Sequence, residues 1–487
     1  MGTGPVRTEG RAAGRAAVDG PGAEATGPSA ARPVVPSRPG AGGPARASRP
    51  GDRDRSGASR PADGDPALRE QLDALEGDGL LRSLRTLDGP TGPRATVDGH
   101  DLLLLCGNDY LGLAGHPDVR RGAADAALAH GGGSGSSRLV AGTLSIHREL
   151  ERELAAFERT GTALLFGAGY LANIGVVTAL AEPGGVVASD ALNHASIIDG
   201  VRLSGAERVV YRHGDWEHLD HELAARAGSS RPPALVVTDG VFSMDGDVAP
   251  LAELVEVCRR HGARLVVDEA HATGCVGPGG RGSVAAAGLE GEVDAVVGTL
   301  GKALGASGAY VAAHPDVRDW LINRARPLIF STAPAPAAAG AALAALGVLA
   351  REPDRVERVS TNAEIVRTTL RAAGVDLRVP GIDGRRAEPA VPIVPVVVGP
   401  AAPTMAITGA LLRDGIYLQG IRPPTVPSGT CRLRLTVCSE HRPDELRDAA
   451  RRIAAAIGAA SAVEAADPPG PAPGRAVESH VPSGTRP

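Results

Sequence analysis

Lys302 is the only lysine of a chain in which lysine and arginine together number 51. A surface cation can be arginine, but a group that must lose a proton and attack a carbonyl carbon cannot. Guanidinium stays protonated, whereas a lysine amine deprotonates and forms a Schiff base. The lysine follows a short apolar segment and has small neighbours, in the sequence Thr299-Leu-Gly-Lys302-Ala-Leu-Gly305. Such neighbours leave room for a flat ring, so the pattern indicates imine chemistry at this position.

The tetrapeptide Asp268-Glu-Ala-His271 ends another apolar segment. Taken alone, it could belong to a helicase, but a helicase needs a phosphate loop G-x-x-x-x-G-K-[ST] upstream. The only Gly-Lys pair, Gly301-Lys302, lies downstream and is followed by Ala303, which excludes that function. Asp268 can instead pair with a ring nitrogen, and Thr299 with a phosphate. An imine-forming lysine with an acid opposite the ring nitrogen is the minimum equipment for binding pyridoxal phosphate.

The segment Gly167–Ala172 has the spacing G-x-G-x-x-A, after a predicted strand and before a predicted helix. This spacing matches a variant of the dinucleotide fingerprint, and Asp190 follows about 20 residues later, as that fingerprint requires. Any turn of this kind, however, offers free backbone amides to a phosphate. The segment therefore predicts an anion-binding turn and leaves a nicotinamide nucleotide as an alternative.

Residues with metal-binding side chains cluster in His213-Gly-Asp-Trp-Glu-His218-Leu-Asp-His221-Glu222. The cluster lacks the H-E-x-x-H spacing that places two histidines on one face of a helix. We interpret it as the solvated start of a helix with Asp215 as the N-cap residue. No metal site is predicted.

These candidate residues lie near the ends of short apolar segments that alternate with helical patterns such as Ile146–Phe157 and Leu251–His261. Such alternation predicts an α/β fold, in which helices cover both faces of a mostly parallel sheet and ligands bind beyond the carboxyl ends of the strands. The six predicted strands of this sheet are Ala163–Phe166, Val186–Ser189, Ala234–Asp239, Arg264–Asp268, Ala295–Thr299 and Gly308–Val311.

Composition and pattern divide the chain into five parts. The first 64 residues are dominated by Gly, Pro, Ala and Arg and cannot bury enough apolar surface to offset the entropy of ordering. After Pro334, an Ala-rich helix, strands near 391–398 and 431–437 and a helix near 444–457 predict a smaller α+β domain. The predicted parts are a disordered arm (1–64), an N-terminal segment (65–109), a large cofactor-binding domain (110–332), a small C-terminal domain (333–462) and a flexible tail (463–487).

Charge and composition exclude two classes of partner. The net charge of −5 and the 11 aromatic residues (2 Trp, 5 Tyr and 4 Phe) argue against binding to nucleic acid. No apolar segment is long enough to span a membrane, and residues 333–350 are typical of a buried helix. The 5 cysteines contain no C-x-x-C motif and are expected to be reduced thiols of a cytoplasmic protein.

Six segments, taken in chain order over about residues 80–457, resemble the α-oxoamine synthases, a branch of the fold-type I pyridoxal-phosphate enzymes. The resemblance implies a large domain with a mostly parallel seven-stranded sheet, a smaller C-terminal α+β domain, pyridoxal 5'-phosphate as the cofactor and a homodimer. The six segments are Asn108-Asp-Tyr-Leu-Gly-Leu113, Gly133-Ser-Gly-Ser-Ser-Arg138, Leu192-Asn-His194-Ala-Ser196, Asp239-Gly-Val-Phe-Ser243-Met-Asp-Gly246, Asp268-Glu-Ala-His271 and the Lys302 segment.

Within the family, the segments Ile421–Pro427 and Gly429–Thr436 are similar to members that condense L-alanine with a pimeloyl thioester and release CO2. Their product is a precursor of biotin, and the acyl carrier is coenzyme A or an acyl carrier protein. Three alternatives remain open: a glycine-using member such as glycine C-acetyltransferase or 5-aminolevulinate synthase, a transaminase, and a non-catalytic subunit. A non-catalytic subunit is expected to have lost the lysine, which this chain keeps.

The resemblance also implies residue roles. Lys302 would hold the cofactor and remove a proton from the substrate, Asp268 would keep the ring nitrogen protonated, and His194 would stack on the ring. Cofactor-binding roles fall to Gly169, Tyr170, His194, Ser243, Asp268, His271, Thr299 and Lys302. Substrate-binding roles fall to Arg82, Asn108, His194, Thr425 and Arg434, of which Asn108 and Arg434 would bind the carboxylate.

Two further expectations concern partners of these residues. Ser331-Thr332 resembles the segment that reaches the cofactor phosphate of the neighbouring subunit. Arg422 is expected to pair with the distal carboxylate of the acyl chain, or else only to shape its own loop.

Overall fold

The computed structural model describes residues 65–226, 233–379 and 391–466. The predicted arm (1–64) and nearly all of the predicted tail (463–487) lie outside the described residues. Within the described ranges, no helix is long and apolar enough to cross a membrane.

A seven-stranded sheet organises the larger part of the described chain, in the order β4-β10-β9-β8-β7-β5-β6. Strands β9, β8, β7, β5 and β6 run parallel to one another, and β10 is antiparallel to both of its neighbours. The mostly parallel seven-stranded sheet predicted for this fold class is therefore confirmed. The strands are β4 (Thr162–Phe166), β5 (Val186–Asp190), β6 (Glu207–Tyr211), β7 (Leu235–Asp239), β8 (Arg264–Asp268), β9 (Ala295–Thr299) and β10 (Ala309–Ala313).

Both faces of this sheet are buried, which is why its strands are continuously apolar. Leu265 and Val267 of β8 face one hydrophobic core, while Val266 between them faces the other. This alternation follows from the two-residue period of a strand. The flanking helices are α2 (Pro117–His130), α3 (Ser145–Glu158), α4 (Gly169–Leu180), α5 (Ala195–Ser204), α6 (Trp216–Ala224), α7 (Leu251–His261), α8 (Ser283–Ala286), α9 (Pro315–Arg324), α10 (Arg326–Ile329) and α11 (Pro336–Arg351).

A four-stranded sheet joins the segment before the large sheet to the C-terminal part of the chain, because β12 pairs with β3 in parallel. A three-stranded antiparallel sheet has the order β11-β14-β13. The remaining elements are α1 (Pro66–Gly77), β1 (Leu87–Asp88), β2 (Arg94–Val97), β3 (His100–Leu104), α12 (Asp354–Ala372), β11 (Ile393–Gly399), α13 (Ala401–Arg413), β12 (Ile416–Tyr417), β13 (Gly420–Ile421), β14 (Cys431–Thr436) and α14 (Pro443–Ala466).

Candidate active site

Polar residues end four neighbouring strands of the large sheet at its carboxyl edge. Asp190 ends β5, Asp239 ends β7, Asp268 ends β8 and Thr299 ends β9. In open α/β sheets this edge is where ligands bind. The loop after β9 carries Lys302 back over the same edge.

A close glycine contact holds that loop in place. Gly305 has a φ of +58°, and a Cβ built on it would lie 2.3 Å from the backbone nitrogen of Ala114. Only glycine therefore fits at this position, where the Lys302 loop packs against the segment that follows Asn108.

Lys302 lies at the end of a buried chain of polar groups. Its Nζ is 2.7 Å from Nε2 of His271, whose Nδ1 is 2.7 Å from the hydroxyl of Tyr110. Burial lowers the pKa of Lys302 to about 8 and lowers the pKa of His271 well below 6.5. Both shifts favour the neutral forms, as expected for bases removed from water. The arrangement therefore supplies an amine that is partly deprotonated near neutral pH.

A second chain of hydrogen bonds holds Asp268 and His194. Asn173 of α4 donates from Nδ2 to Oδ2 of Asp268 at 2.6 Å and to the hydroxyl of Ser196 at 2.9 Å. That hydroxyl lies 2.7 Å from Nδ1 of His194, the N-cap residue of α5. Burial lowers the pKa of His194, and its backbone amide donates to the Asp239 carboxylate at 3.0 Å. The imidazole is consequently held in one orientation at the edge of the sheet.

Arg434 of β14 brings the C-terminal part of the chain to the Lys302 cluster. Its Nε donates to the carbonyl oxygen of Ser243 at 2.5 Å, and its Nη1 donates to Oδ1 of Asn108 at 3.3 Å. Its Nη2 lies 3.4 Å from the hydroxyl of Tyr110. Arg434 thus contacts the backbone of Ser243 and not its hydroxyl. Asn108 and Lys302 line the same pocket of about 340 Å³.

Gly169 and Thr299 lie where an anion could be held. Gly169 begins α4, so the amides of the first helical turn point beyond the helix end. A Cβ built on Gly169 would meet no heavy atom within 4 Å, so the space beside this helix end is open. The hydroxyl of Thr299 accepts from the amide of Gly301 at 3.2 Å. Tyr170, by contrast, is 42% exposed, and its hydroxyl donates to the carboxylate of Asp199.

Arg82 and Thr425 line a separate cleft of about 500 Å³, between the segment after α1 and helix α13. Arg82 donates from Nη2 to the carbonyl oxygen of Pro423 at 2.8 Å. Arg422 lines the same cleft and donates to the carbonyl oxygens of Gly79 and Leu81. The structure thus brings these arginines together, but not into the pocket that Lys302 lines.

The segment predicted to reach a neighbouring subunit is bound to the serine-rich loop of its own chain. Thr332 is exposed and pairs with Ser137 in an isolated β-bridge. The amide of Ala333 donates to the carbonyl oxygen of Ser136 at 3.0 Å. Backbone hydrogen bonds therefore hold the 331–333 segment against the 136–137 loop.

The histidine cluster after β6 differs in part from its sequence interpretation. Asp215 is the N-cap residue of α6 and accepts from the amide of His218 at 2.8 Å, as predicted. The interpretation of the whole cluster as solvated was wrong for His213, whose side chain is only 9% exposed. Tertiary contacts with two carboxylates bury this residue.

Sequence reasoning also missed Tyr110 and Asn173 as individual site residues. Tyr110 stands inside the segment that begins at Asn108, but nothing in its spacing signals the contact with His271, which lies 161 residues away. Asn173 lies on a mostly apolar helix, α4. The one sequence signal that could have identified it is an amide side chain among apolar residues.

Comparison with known proteins gives consistent matches. A family model described as aminotransferase class I and II matches residues 100–453. The 8-amino-7-oxononanoate synthase of Citrifermentans bemidjiense is 47% identical over 383 residues, which cover 78% of this chain and 95% of that protein.

Two solved structures extend the comparison. A serine palmitoyltransferase from S. paucimobilis with a bound PLP–myriocin aldimine matches with a TM-score of 0.75 at 35% identity, over 82% of this chain and 98% of that one. An 8-amino-7-oxononanoate synthase from Francisella tularensis matches with a TM-score of 0.62 at 25% identity, over 74% of this chain and 98% of that one.

Proposed function

Because the chain belongs to the aminotransferase class I and II family, we propose that it is a pyridoxal-phosphate-dependent acyltransferase that makes 8-amino-7-oxononanoate. L-Alanine and a pimeloyl thioester would be converted to this product, CO2 and the free carrier thiol. The observation that carries the proposal is the 47% identity to a protein named for this product, over 95% of that protein's length. The reaction belongs to biotin synthesis.

The residues at the strand ends fit pyridoxal 5'-phosphate. Lys302 offers a half-buried amine, Asp268 a carboxylate for the ring nitrogen, and the open N-terminus of α4 at Gly169 a place for the phosphate. Thr299 offers a hydroxyl to the same phosphate, and His194 offers a ring to stack against. When bound, the cofactor supplies an electron sink that stabilises negative charge on the α-carbon of the amino acid. Tyr170, Ser243 and His271 complete the proposed cofactor site.

Lys302 is assigned to proton transfer at Nζ. Its lowered pKa, about 8, leaves part of the population as free amine at neutral pH, which can accept a proton from the α-carbon. His271 contacts this nitrogen at 2.7 Å and is itself kept neutral by burial. A neutral imidazole can hydrogen-bond to Nζ without adding a second positive charge.

Asp268 is assigned to holding a proton on the ring nitrogen. A carboxylate opposite a pyridinium stabilises the charged ring, and the bond from Asn173 fixes the direction in which Asp268 points. The other carboxylate oxygen, Oδ1, accepts a hydrogen bond from the amide of Ala270 at 2.8 Å, which helps to hold Asp268 in the same orientation.

The substrate carboxylate is assigned to Arg434 and Asn108. Arg434 is 7% exposed, and within the described residues its two terminal nitrogens make long contacts, of 3.3 Å to Asn108 and 3.4 Å to Tyr110. An arginine fork suits a carboxylate because it donates two parallel hydrogen bonds. Arg82 and Thr425, in the separate cleft, are assigned to the acyl chain, and His194 to the face of the amino acid.

A homodimer is the proposed assembly, and the reducing cytoplasm is the proposed compartment. The first rests on the resemblance of Ser331-Thr332 to a segment that reaches a neighbouring subunit. The second rests on the 5 cysteines, which all lie in the described ranges and are all free thiols. A large domain (110–332) and a small domain (333–462) are the proposed division of this part of the chain.

Product mass spectrometry tests the proposal. The purified chain is incubated with a pimeloyl thioester of coenzyme A or of an acyl carrier protein, and with alanine, glycine or serine. We expect 8-amino-7-oxononanoate with alanine only, and the two thioesters identify the carrier. A product with glycine would indicate a sibling synthase, and a product with serine would favour the amino acid for which the structural neighbour is named.

A further inference from the structure

His213 lies between two buried carboxylates, one at the end of strand β5 and the other in the loop after β7. Its Nδ1 is 2.8 Å from Oδ1 of Asp190, and its Nε2 is 2.8 Å from Oδ2 of Asp247. The three side chains are 9%, 1% and 3% exposed. A carboxylate only accepts hydrogen bonds, so each ring nitrogen must carry a proton to bond to its carboxylate. A ring with a proton on both nitrogens is an imidazolium.

Asp190 fixes the turn that leads to His194. Its Oδ1 also accepts from the amide of Leu192 at 2.8 Å, and its Oδ2 accepts from the amide of Gly214 at 2.7 Å. The turn spans residues 190–194 and ends at His194, the N-cap residue of α5. The position of the Asp190 carboxylate therefore helps to position His194.

Asp247 closes the loop that carries Ser243. Its carbonyl oxygen accepts from the amide of Phe242 at 3.0 Å, and Val241 pairs with Val248 across the base of the loop. The Phe242 ring meets the His213 ring edge-on, with centroids 4.4 Å apart.

On its other side, the 241–248 loop is held by two arginines of β14. Arg434 binds the carbonyl oxygen of Ser243, and Arg432 pairs with the Asp245 carboxylate. The loop is therefore held between β14 and His213.

We propose that His213 is a positioning residue, a buried imidazolium that fixes the 190–194 turn carrying His194 against the 241–248 loop carrying Ser243. The inference rests on the proposed function, because His194 and Ser243 matter only as neighbours of the cofactor ring. Removing the charge would leave carboxylates facing each other without a cation between them, and the two loops would move apart.

The charges around His213 agree with this role. Burial lowers the pKa of His213, but the hydrogen bonds and charges of Asp190 and Asp247 outweigh burial and raise the pKa to about 9. Asp245 faces the same ring with its charge partly compensated by Arg432. Since the raised pKa exceeds the ordinary value of 6.5, the stabilisation that the two ion pairs give the folded chain is fully present below about pH 6.5 and is lost as the pH rises through about 9.

Two substitutions separate the two contacts. His213→Asn keeps a donor near the position of Nδ1, facing Asp190, and His213→Gln keeps one near the position of Nε2, facing Asp247. His221→Gln on α6 is the matched control, because His221 is exposed. We expect the dissociation constant of pyridoxal phosphate, measured by absorbance titration of the full chain, to rise on the order of tenfold in both variants, the scale of one lost charged hydrogen bond. The control should bind like the wild type.

Imidazole NMR of the full chain labelled with ¹³C at the histidine Cε1 gives a readout that a loss of packing alone would not move. The His213 signal of the wild type, identified by its absence from the spectra of both variants, should titrate with a midpoint near pH 9. A midpoint near 6.5, or unchanged cofactor affinity in both variants, would overturn the proposal for His213. A wild-type chain that binds no pyridoxal phosphate would instead overturn the proposed function, so the two failures are distinguishable.

Discussion

The amine of Lys302 lies 2.7 Å from Nε2 of His271, and the opposite nitrogen of that ring lies 2.7 Å from the hydroxyl of Tyr110. The phenol carries one proton, so it donates either to the ring or to Asn108, which lies 3.1 Å away. When it donates to Nδ1, the neutral His271 carries its proton on Nε2, facing the amine. The direction in which the Tyr110 hydroxyl donates thus determines whether Nε2 of His271 carries a proton where it faces the amine of Lys302.

Lys302→Arg should abolish both cofactor attachment and activity, because guanidinium cannot form the imine. Borohydride reduction followed by peptide mass spectrometry should find the cofactor on Lys302 in the wild type and nowhere in the variant. The double variant Lys302→Arg, Arg121→Lys restores one lysine at an exposed surface position and should remain unlabelled. Labelling of that surface lysine would mean that the buried site confers no selectivity.

The rate at which pyridoxal phosphate attaches should rise with pH through about 8. Only the free amine attacks the aldehyde, and burial lowers the pKa of Lys302 from 10.5 to about 8, so the free fraction increases in that range. Stopped-flow absorbance against pH measures the midpoint, with Nα-acetyl-lysine as the reference amine near its ordinary pKa of about 10.4. A midpoint near that of the free amino acid would contradict the buried environment.

Tyr110→Phe should weaken catalysis by about 1–2 kcal/mol in kcat/KM, the scale of a lost buried hydrogen bond. Because the hydroxyl orients His271, the pH profile should shift as well. Tyr310→Phe is the control, since its buried hydroxyl donates to Glu158, away from the residues assigned to the cofactor and the substrates. An unchanged pH profile with a lowered melting temperature would make Tyr110 a packing residue only.

Arg422→Ala should weaken catalysis with pimeloyl thioester by about 1.5–3 kcal/mol, the scale of a lost charged hydrogen bond. Acetyl thioester lacks the distal carboxylate and should be nearly unaffected. Steady-state kinetics with both thioesters test this expectation. Equal losses with the two would assign Arg422 to supporting the segment whose Gly79 and Leu81 carbonyls it binds.

Mixed dimers should recover activity that neither parent shows. One protomer carries Lys302→Ala, and the other carries Ser331→Ala and Thr332→Ala, so a hybrid keeps one intact site only if the second segment serves the neighbouring subunit. Activity after mixing and refolding measures the recovery. Sedimentation of a fully active monomer would refute the shared site.

Local patterns were sufficient to predict most of the large sheet. A parallel strand buried on both faces is apolar throughout, so β8 and β9 have the predicted bounds, and α7 begins and ends where its period predicts. Strand β6 was missed because it lies at one edge of the sheet, where three of its five residues are exposed and the apolar run is broken. The short strands β1 to β3 form only by pairing with one another and with β12, which no local pattern encodes.

The candidate site divides in the same way. The sequence by itself determined the imine-forming group, because residue type alone distinguishes Lys302 from every arginine in the chain, and it indicated the acid at the end of β8. Only the tertiary structure decided that Tyr110 contacts His271 and that His213 is buried between Asp190 and Asp247. These contacts join residues that are distant in the chain, and the burial and neighbouring charges that set the pKa of each group depend on how the segments pack.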